Sequence, residues 1–127
     1  ISCSLVGSEM CIRDRITEGC CVVARAARLR GAAVTFFKYT SKVIAGDGCS
    51  EICCELGYFY EETGDFEEAA VWYYNAAYET QPVLALRSSE EEPLQGLIRC
   101  YEHLGLPAQA RSYAEELKHR QNEQTDN

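Results

Sequence analysis

The sequence predicts an all-α fold of about three antiparallel helical hairpins, on three observations. Leu56, Tyr60, Ala69, Tyr73 and Ala76 recur at helical spacings on either side of Gly64-Asp65, so one helix ends at that pair and another begins. The same order returns 41 residues later, where Leu97, Tyr101, Gly105 and Ala110 match Leu56, Tyr60, Gly64 and Ala69. The composition, 46% hydrophobic and 25% charged over 127 residues, is that of at most one modest globular domain with a real core. A single hairpin cannot bury its apolar face alone, so neighbouring hairpins are required.

Residues 1–15 stand apart. Their segment LVGSEMCIRD, residues 5–14, resembles the conceptual translation of a transposase sequencing adapter. This implies a reading frame that crosses an adapter, so that natural sequence begins after Arg15, the true N-terminus is missing and this chain is a fragment. Residues 16–46 read as a degenerate hairpin. Cys20, Val22, Val23, Ala26, Ala27 and Leu29 form its first helix, and Ala33, Phe36 and Phe37 belong to its second. The turn between them, around Arg28 to Gly31, lacks an obvious cap, and Gly46-Asp47-Gly48 closes the unit.

Residues 50–82 form the clearest hairpin. Gly64 suits a left-handed helix end, and Asp65 with Glu68 reads as an N-cap and its box partner. Gly57 and Ala69 are small enough for close helix approach, Ala76 admits the next helix, and Tyr60 and Tyr73 fill the space between. In the connection that follows, the apolar residues 83–86 extend the preceding helix or pack across it. Ser89 or a neighbour then caps the next helix, whose first turn tolerates Pro93. The third hairpin, residues 91–119, carries Leu94, Leu97, Ile98, Tyr101 and Leu104, turns at Gly105-Leu106-Pro107, and returns with Ala110, Ala114 and Leu117. Residues 121–127 are polar and expected to fray.

The stretch of residues 53–82, with Leu56-Gly57, Tyr60, Ala69, Tyr73 and Pro82, resembles a tetratricopeptide repeat, whose pattern is W-x2-L-G-x2-Y…A-x3-F…P. Cys53 stands where the pattern has Trp, and Pro82 comes one residue late. The resemblance implies a right-handed superhelical array in which the first helix of each hairpin lines an inner groove. Carried onto this sequence, the groove positions are Glu51, Cys54, Tyr58, Glu61 and Glu62, then Glu92, Gln95, Arg99, Glu102 and His103. It implies a non-catalytic module that binds a protein or peptide, basic by charge complementarity, or an adjacent domain of the same chain. The competing reading of these positions is a solvated acidic face without a ligand. Some members of the family clamp a C-terminal carboxylate with Lys, Asn and Arg, and Glu at most of these positions excludes that mode here. Exchange of Glu61 and Glu62 for Lys is expected to leave the fold intact while reversing a preference for basic peptides. The stretch from Cys49 to Thr80 is also similar to repeat tails that follow bacterial glycosyltransferase domains, which implies the alternative of an appendage to a larger enzyme. A transcription regulator is disfavoured for want of a DNA-binding helix pair and a basic face.

Charge and cysteines narrow the classes further. A net charge of −8 argues against nucleic acid or an anionic membrane as partner, and no apolar run reaches the ~20 residues that span a bilayer. Eight cysteines would suit a disulfide scaffold, but Cys20-Cys21 and Cys53-Cys54 are adjacent pairs inside helical patterns without a secretion signal. They read as small core residues of a cytoplasmic protein. Cys49, Cys53, Cys54 and Cys100 lack the second pair that structural zinc requires, so no metal or cofactor is expected. His103 and His119 have no adjacent nucleophile or orienting group, and no phosphate loop or triad pattern occurs, so no catalytic residue is expected. Trp72 and Tyr74 are expected to meet the adjacent helix pair or residues 83–86.

Overall fold

Among the described residues six α-helices follow one another: α1 (Ser8–Arg30), α2 (Ala33–Ala45), α3 (Ser50–Thr63), α4 (Phe66–Tyr74), α5 (Glu92–His103) and α6 (Pro107–Asp126). The computed structural model describes residues 8–46, 48–81 and 91–126, and no strand occurs among them. The expected connection at residues 83–86 and the cap at Ser89 lie outside the described residues. The all-α expectation is met. Sequential helices α1–α2, α3–α4 and α5–α6 pack as pairs, and α3 and α5 each rest on the pair before them.

Three helices end in the same way. At α3, Gly64 adopts φ 89° and donates its N–H to the Glu61 carbonyl at 3.1 Å, while Asp65 N–H reaches the Tyr60 carbonyl at 2.9 Å. This paired closure satisfies carbonyls that the helix leaves orphaned, and its left-handed residue favours glycine. Gly31 closes α1 and Gly105 closes α5 with the matching two bonds. The turn after Arg28, for which the sequence shows no cap, is therefore capped by Gly31 and the Ala27 carbonyl. Asp65 also begins α4 by accepting the Glu68 N–H at 3.3 Å. The reciprocal arm of the expected box is absent because the Asp65 N–H already serves α3.

The end of α4 departs from a regular helix. Asn75–Glu79 form a wider, π-helical turn. Ser50, at the start of α3, donates its hydroxyl to the Ala76 carbonyl at 2.6 Å, and Thr80 donates its own to the Asn75 carbonyl at 2.8 Å. Side-chain donors thus take carbonyls that a continuing α-helix would use. Pro93 lies in the first turn of α5, as expected, and Glu91 precedes it without a side-chain cap. The polar residues expected to fray continue α6 as far as Asp126.

Two apolar clusters meet at α3. One joins Ala24 and Ala27 of α1 with Phe36 of α2 and Ile52 and Leu56 of α3. Phe36 stacks on Phe59 with centroids 4.9 Å apart, and Phe37 meets Phe59 edge-on. The second joins Cys53 and Cys54 with Ala69, Tyr73, Leu94, Leu97 and Cys100. Trp72 and Tyr60 touch both clusters, so Trp72 does serve the junction between helix pairs. Its indole N–H has no partner among the described residues. Cys20, Cys21, Cys49, Cys53, Cys54 and Cys100 are buried thiols.

Tyr73 fixes the spacing of three helices. A Cβ placed on Gly57 would lie 2.7 Å from its ring, and one on Gly96 2.5 Å from it. The ring of α4 therefore passes between bare backbone of α3 and of α5. Gly57 is expected at this crossing from the sequence, whereas Gly96 is a finding of the structure.

Candidate groove across three first helices

The ring of Tyr73 occupies the core, but its hydroxyl emerges on the other side of the glycine gap. There it donates to Glu61 Oε1 at 2.6 Å. Arg99 of α5 grips the same carboxylate with Nε at 2.8 Å from Oε2 and Nη2 at 3.0 Å from Oε1. Burial alone would push the Glu61 carboxyl up, yet the Arg99 and Tyr73 hydrogen bonds hold it below the ordinary carboxylate range. The Glu61 bond and charge raise Arg99 in turn. Burial, then the bond to Glu61, pushes the Tyr73 phenol up, so the hydroxyl stays a donor.

A second set of contacts ties α1 to α3. Arg28 places Nε 2.7 Å from Glu55 Oε2 and also bonds Glu62 through Nη1. Its side chain is only 8% exposed. Burial pushes the Glu55 carboxyl up and outweighs the help from Arg28. The Arg28 guanidinium also lies over the Tyr58 ring, 4.9 Å from its centroid. Tyr58 in turn donates its hydroxyl to Glu92 Oε2 of α5 at 3.0 Å. From α1 to α5 the first helices are thus bridged by Arg28, Glu55, Glu62, Tyr58, Glu92, Glu61 and Arg99.

Of the groove positions expected from the sequence, Tyr58, Glu61, Glu62, Glu92 and Arg99 come together in this ladder, whereas Cys54 is buried in the second apolar cluster. Glu51 is half-buried in the first turn of α3, and Gln95 and Glu102 are exposed on α5. His103 stacks flat on Phe66, with centroids 4.2 Å apart, at the entry to α4. It is also close enough to Glu61 to favour that carboxylate's charge. Exchange of Glu61 for Lys cannot leave the structure untouched, because the change would oppose Arg99 and strand the Tyr73 hydroxyl. Glu62, although 54% exposed, is itself bonded to the buried Arg28, so the exposed Glu102 is the better site for charge reversal.

Arg28 and Glu55 are missed by sequence reasoning. A signal for Arg28 exists: Gly31 and Gly64 close equivalent turns 33 residues apart, which places Arg28 at the position of Glu61. Away from this face, a depression of about 450 Å³ is lined by Glu67, Val71, Tyr74, Tyr101 and Leu106 among others, and contains none of the groove positions. Among the described residues no group of three or more His, Cys, Asp or Glu side chains could hold a metal ion. None of the described helices is long and apolar enough to cross a membrane. Comparison with family models, with curated proteins and with solved structures yields no match to the chain.

Proposed function

We propose that the chain is a non-catalytic interaction module of tetratricopeptide type, taking a basic peptide segment or a surface of an adjoining domain in the groove of α1, α3 and α5. The observation that carries this reading is the ladder itself. It fixes three first helices side by side through polar bonds, as a surface needs if it is to meet a ligand without rearranging. Three matching helix closures and the sequential pairing of helices support the repeat architecture, and the right-handed stacking is part of the proposal. Much of the groove acid is internally paired, Glu62 with Arg28 included, so selectivity for a basic ligand falls first to the exposed Glu102 and then to the 54% exposed Glu62.

Fluorescence anisotropy with labelled peptides of equal length, one rich in Lys and Arg and one in Asp and Glu, tests this. The basic peptide should bind more tightly, and Glu102→Lys should weaken it by roughly two- to five-fold, the worth of one exposed charge contact. Equal binding of both peptides, or preference for the acidic one, would contradict the reading.

A second reading makes the repeats an appendage of a larger enzyme such as a bacterial glycosyltransferase. The specific observation in its favour is an apolar face of α1: Val22 and Leu29, seven residues apart, are each more than three-fifths exposed, as is Val34 of α2. Such a face suits burial against another folded surface. In this reading the groove or that face holds the neighbouring domain, and the module remains without a catalytic residue of its own.

A further inference from the structure

At the junction of α1 and α3 two thiols from distant parts of the chain meet. Cys21 Sγ and Cys49 Sγ lie 3.6 Å apart. Their exposures are 4% and 0%, and Ile52 and Leu56 belong to the same cluster. Cys49 is the residue immediately before α3, so its sulfur sits at the positive end of a 14-residue helix. We propose that Cys21 and Cys49 form a redox-modifiable dithiol site, oxidised by a small hydroperoxide to a disulfide that links α1 to the start of α3.

The surroundings assign a role to each sulfur. The Cys21 hydrogen bond holds the Cys49 thiol below its usual range against the effect of burial, and backbone N–H groups of Ile52 and Glu51 add to this. Cys21 is pushed up, by the bond to Cys49 first and by burial second. Cys49 is therefore the thiolate nucleophile. It attacks one peroxide oxygen, the O–O bond breaks, and the departing oxygen takes a proton and leaves as water or an alcohol. Cys49 is now a sulfenic acid. The Cys21 sulfur then attacks the Cys49 sulfur, the S–O bond breaks, and hydroxide leaves as water with the proton from Cys21. The two sulfurs give up two electrons in total and the hydroperoxide accepts them. The sulfurs need only close from their present contact to about 2 Å.

Selectivity follows from the same environment. Burial pushes the Cys53 thiol up to about 11 and the Cys100 thiol up to about 12, and it raises Cys54 as well, so these carry less thiolate. Enclosure of the pair excludes bulky oxidants. The new bond would close a loop containing α2 and would fasten the two helices that Arg28 already bridges.

The test is peptide mapping of the full chain after limited treatment with hydrogen peroxide, with remaining thiols alkylated under denaturing conditions. The expected product is a Cys21–Cys49 cross-linked peptide, two hydrogens lighter, formed before any change at Cys53, Cys54 or Cys100. A rise in melting midpoint that dithiothreitol reverses should accompany it. In Cys21→Ala the reaction should halt at a sulfenic acid on Cys49, trapped by dimedone. Because that variant opens space in the core, the wild-type map decides by itself. Recovery of Cys21 and Cys49 as alkylated thiols while other cysteines oxidise, or their pairing with other cysteines, would overturn the proposal.

Discussion

Tyr73 and Glu61 show how one residue can serve both packing and the surface. The Tyr73 ring is fully buried against two glycines, and its hydroxyl completes the coordination of a carboxylate that Arg99 holds from the next helix. Tyr73→Phe keeps the ring and removes that donor. A hydrogen bond to a charged group contributes about 1.5–3 kcal/mol, so denaturant unfolding near neutral pH should show a loss in that range. The loss should depend on pH. A carboxyl held below its ordinary value of 4.5 in the folded state contributes stability that is present above that value and disappears as pH falls through the folded one. The gap between the wild-type protein and Tyr73→Phe should therefore narrow below about pH 4.5. A gap of constant size down to acid unfolding would show that the hydroxyl does not act on the Glu61 carboxylate. The sequence makes Tyr73 a core residue by its spacing from Ala69 and Ala76. It gives no sign of the hydroxyl's destination, because Glu61 lies on another helix and its partner Arg99, 38 residues further on, joins it only through folding.

Among the helices, legibility follows the range of the interactions that set them. The ends of α3 and α5 are written in local residues, Gly64 and Gly105, and each carries its own closing bonds. The end of α1 is equally local, but the arginines around Gly31 mask it. The wide turn at Asn75–Glu79 depends on a hydroxyl from Ser50, 26 residues before Ala76, so no helical pattern within α4 discloses it. Packing of α4 between α3 and α5 is half legible. Gly57 falls within the repeat pattern and invites close approach, while Gly96 sits one residue before Leu97, where the helical period alone attaches no meaning to a missing side chain. Gly96→Ala would place a Cβ within 2.6 Å of Tyr73 ring carbons. The helices must separate or the ring must tilt, at a cost of about 1–3 kcal/mol measured by chemical denaturation. Tyr73→Leu should cost less in that background than in the wild-type protein, since the two changes share one contact. An unchanged unfolding midpoint in Gly96→Ala would contradict the interdigitation of α4 between its neighbours.

For the whole molecule, the first helices and the second helices divide the work. On one side, α2 and α4 supply Phe36, Ala69 and Tyr73 to two clusters that α3 joins. In front, α1, α3 and α5 are tied by arginines, tyrosines and carboxylates into one polar surface. The acidic balance of that surface is visible in the sequence from Glu51, Glu61, Glu62 and Glu102. Its internal neutralisation by Arg28 and Arg99 is not, because both pairings cross between helix pairs. The claim that this front surface is the binding face is tested most directly by NMR shift mapping during titration with a Lys/Arg-rich peptide. The account predicts saturable shifts concentrated at Tyr58, Glu62, Gln95 and Glu102, with α6 unaffected. Shifts confined to the depression at Val71, Tyr74 and Leu106, or spread evenly over the surface, would contradict it.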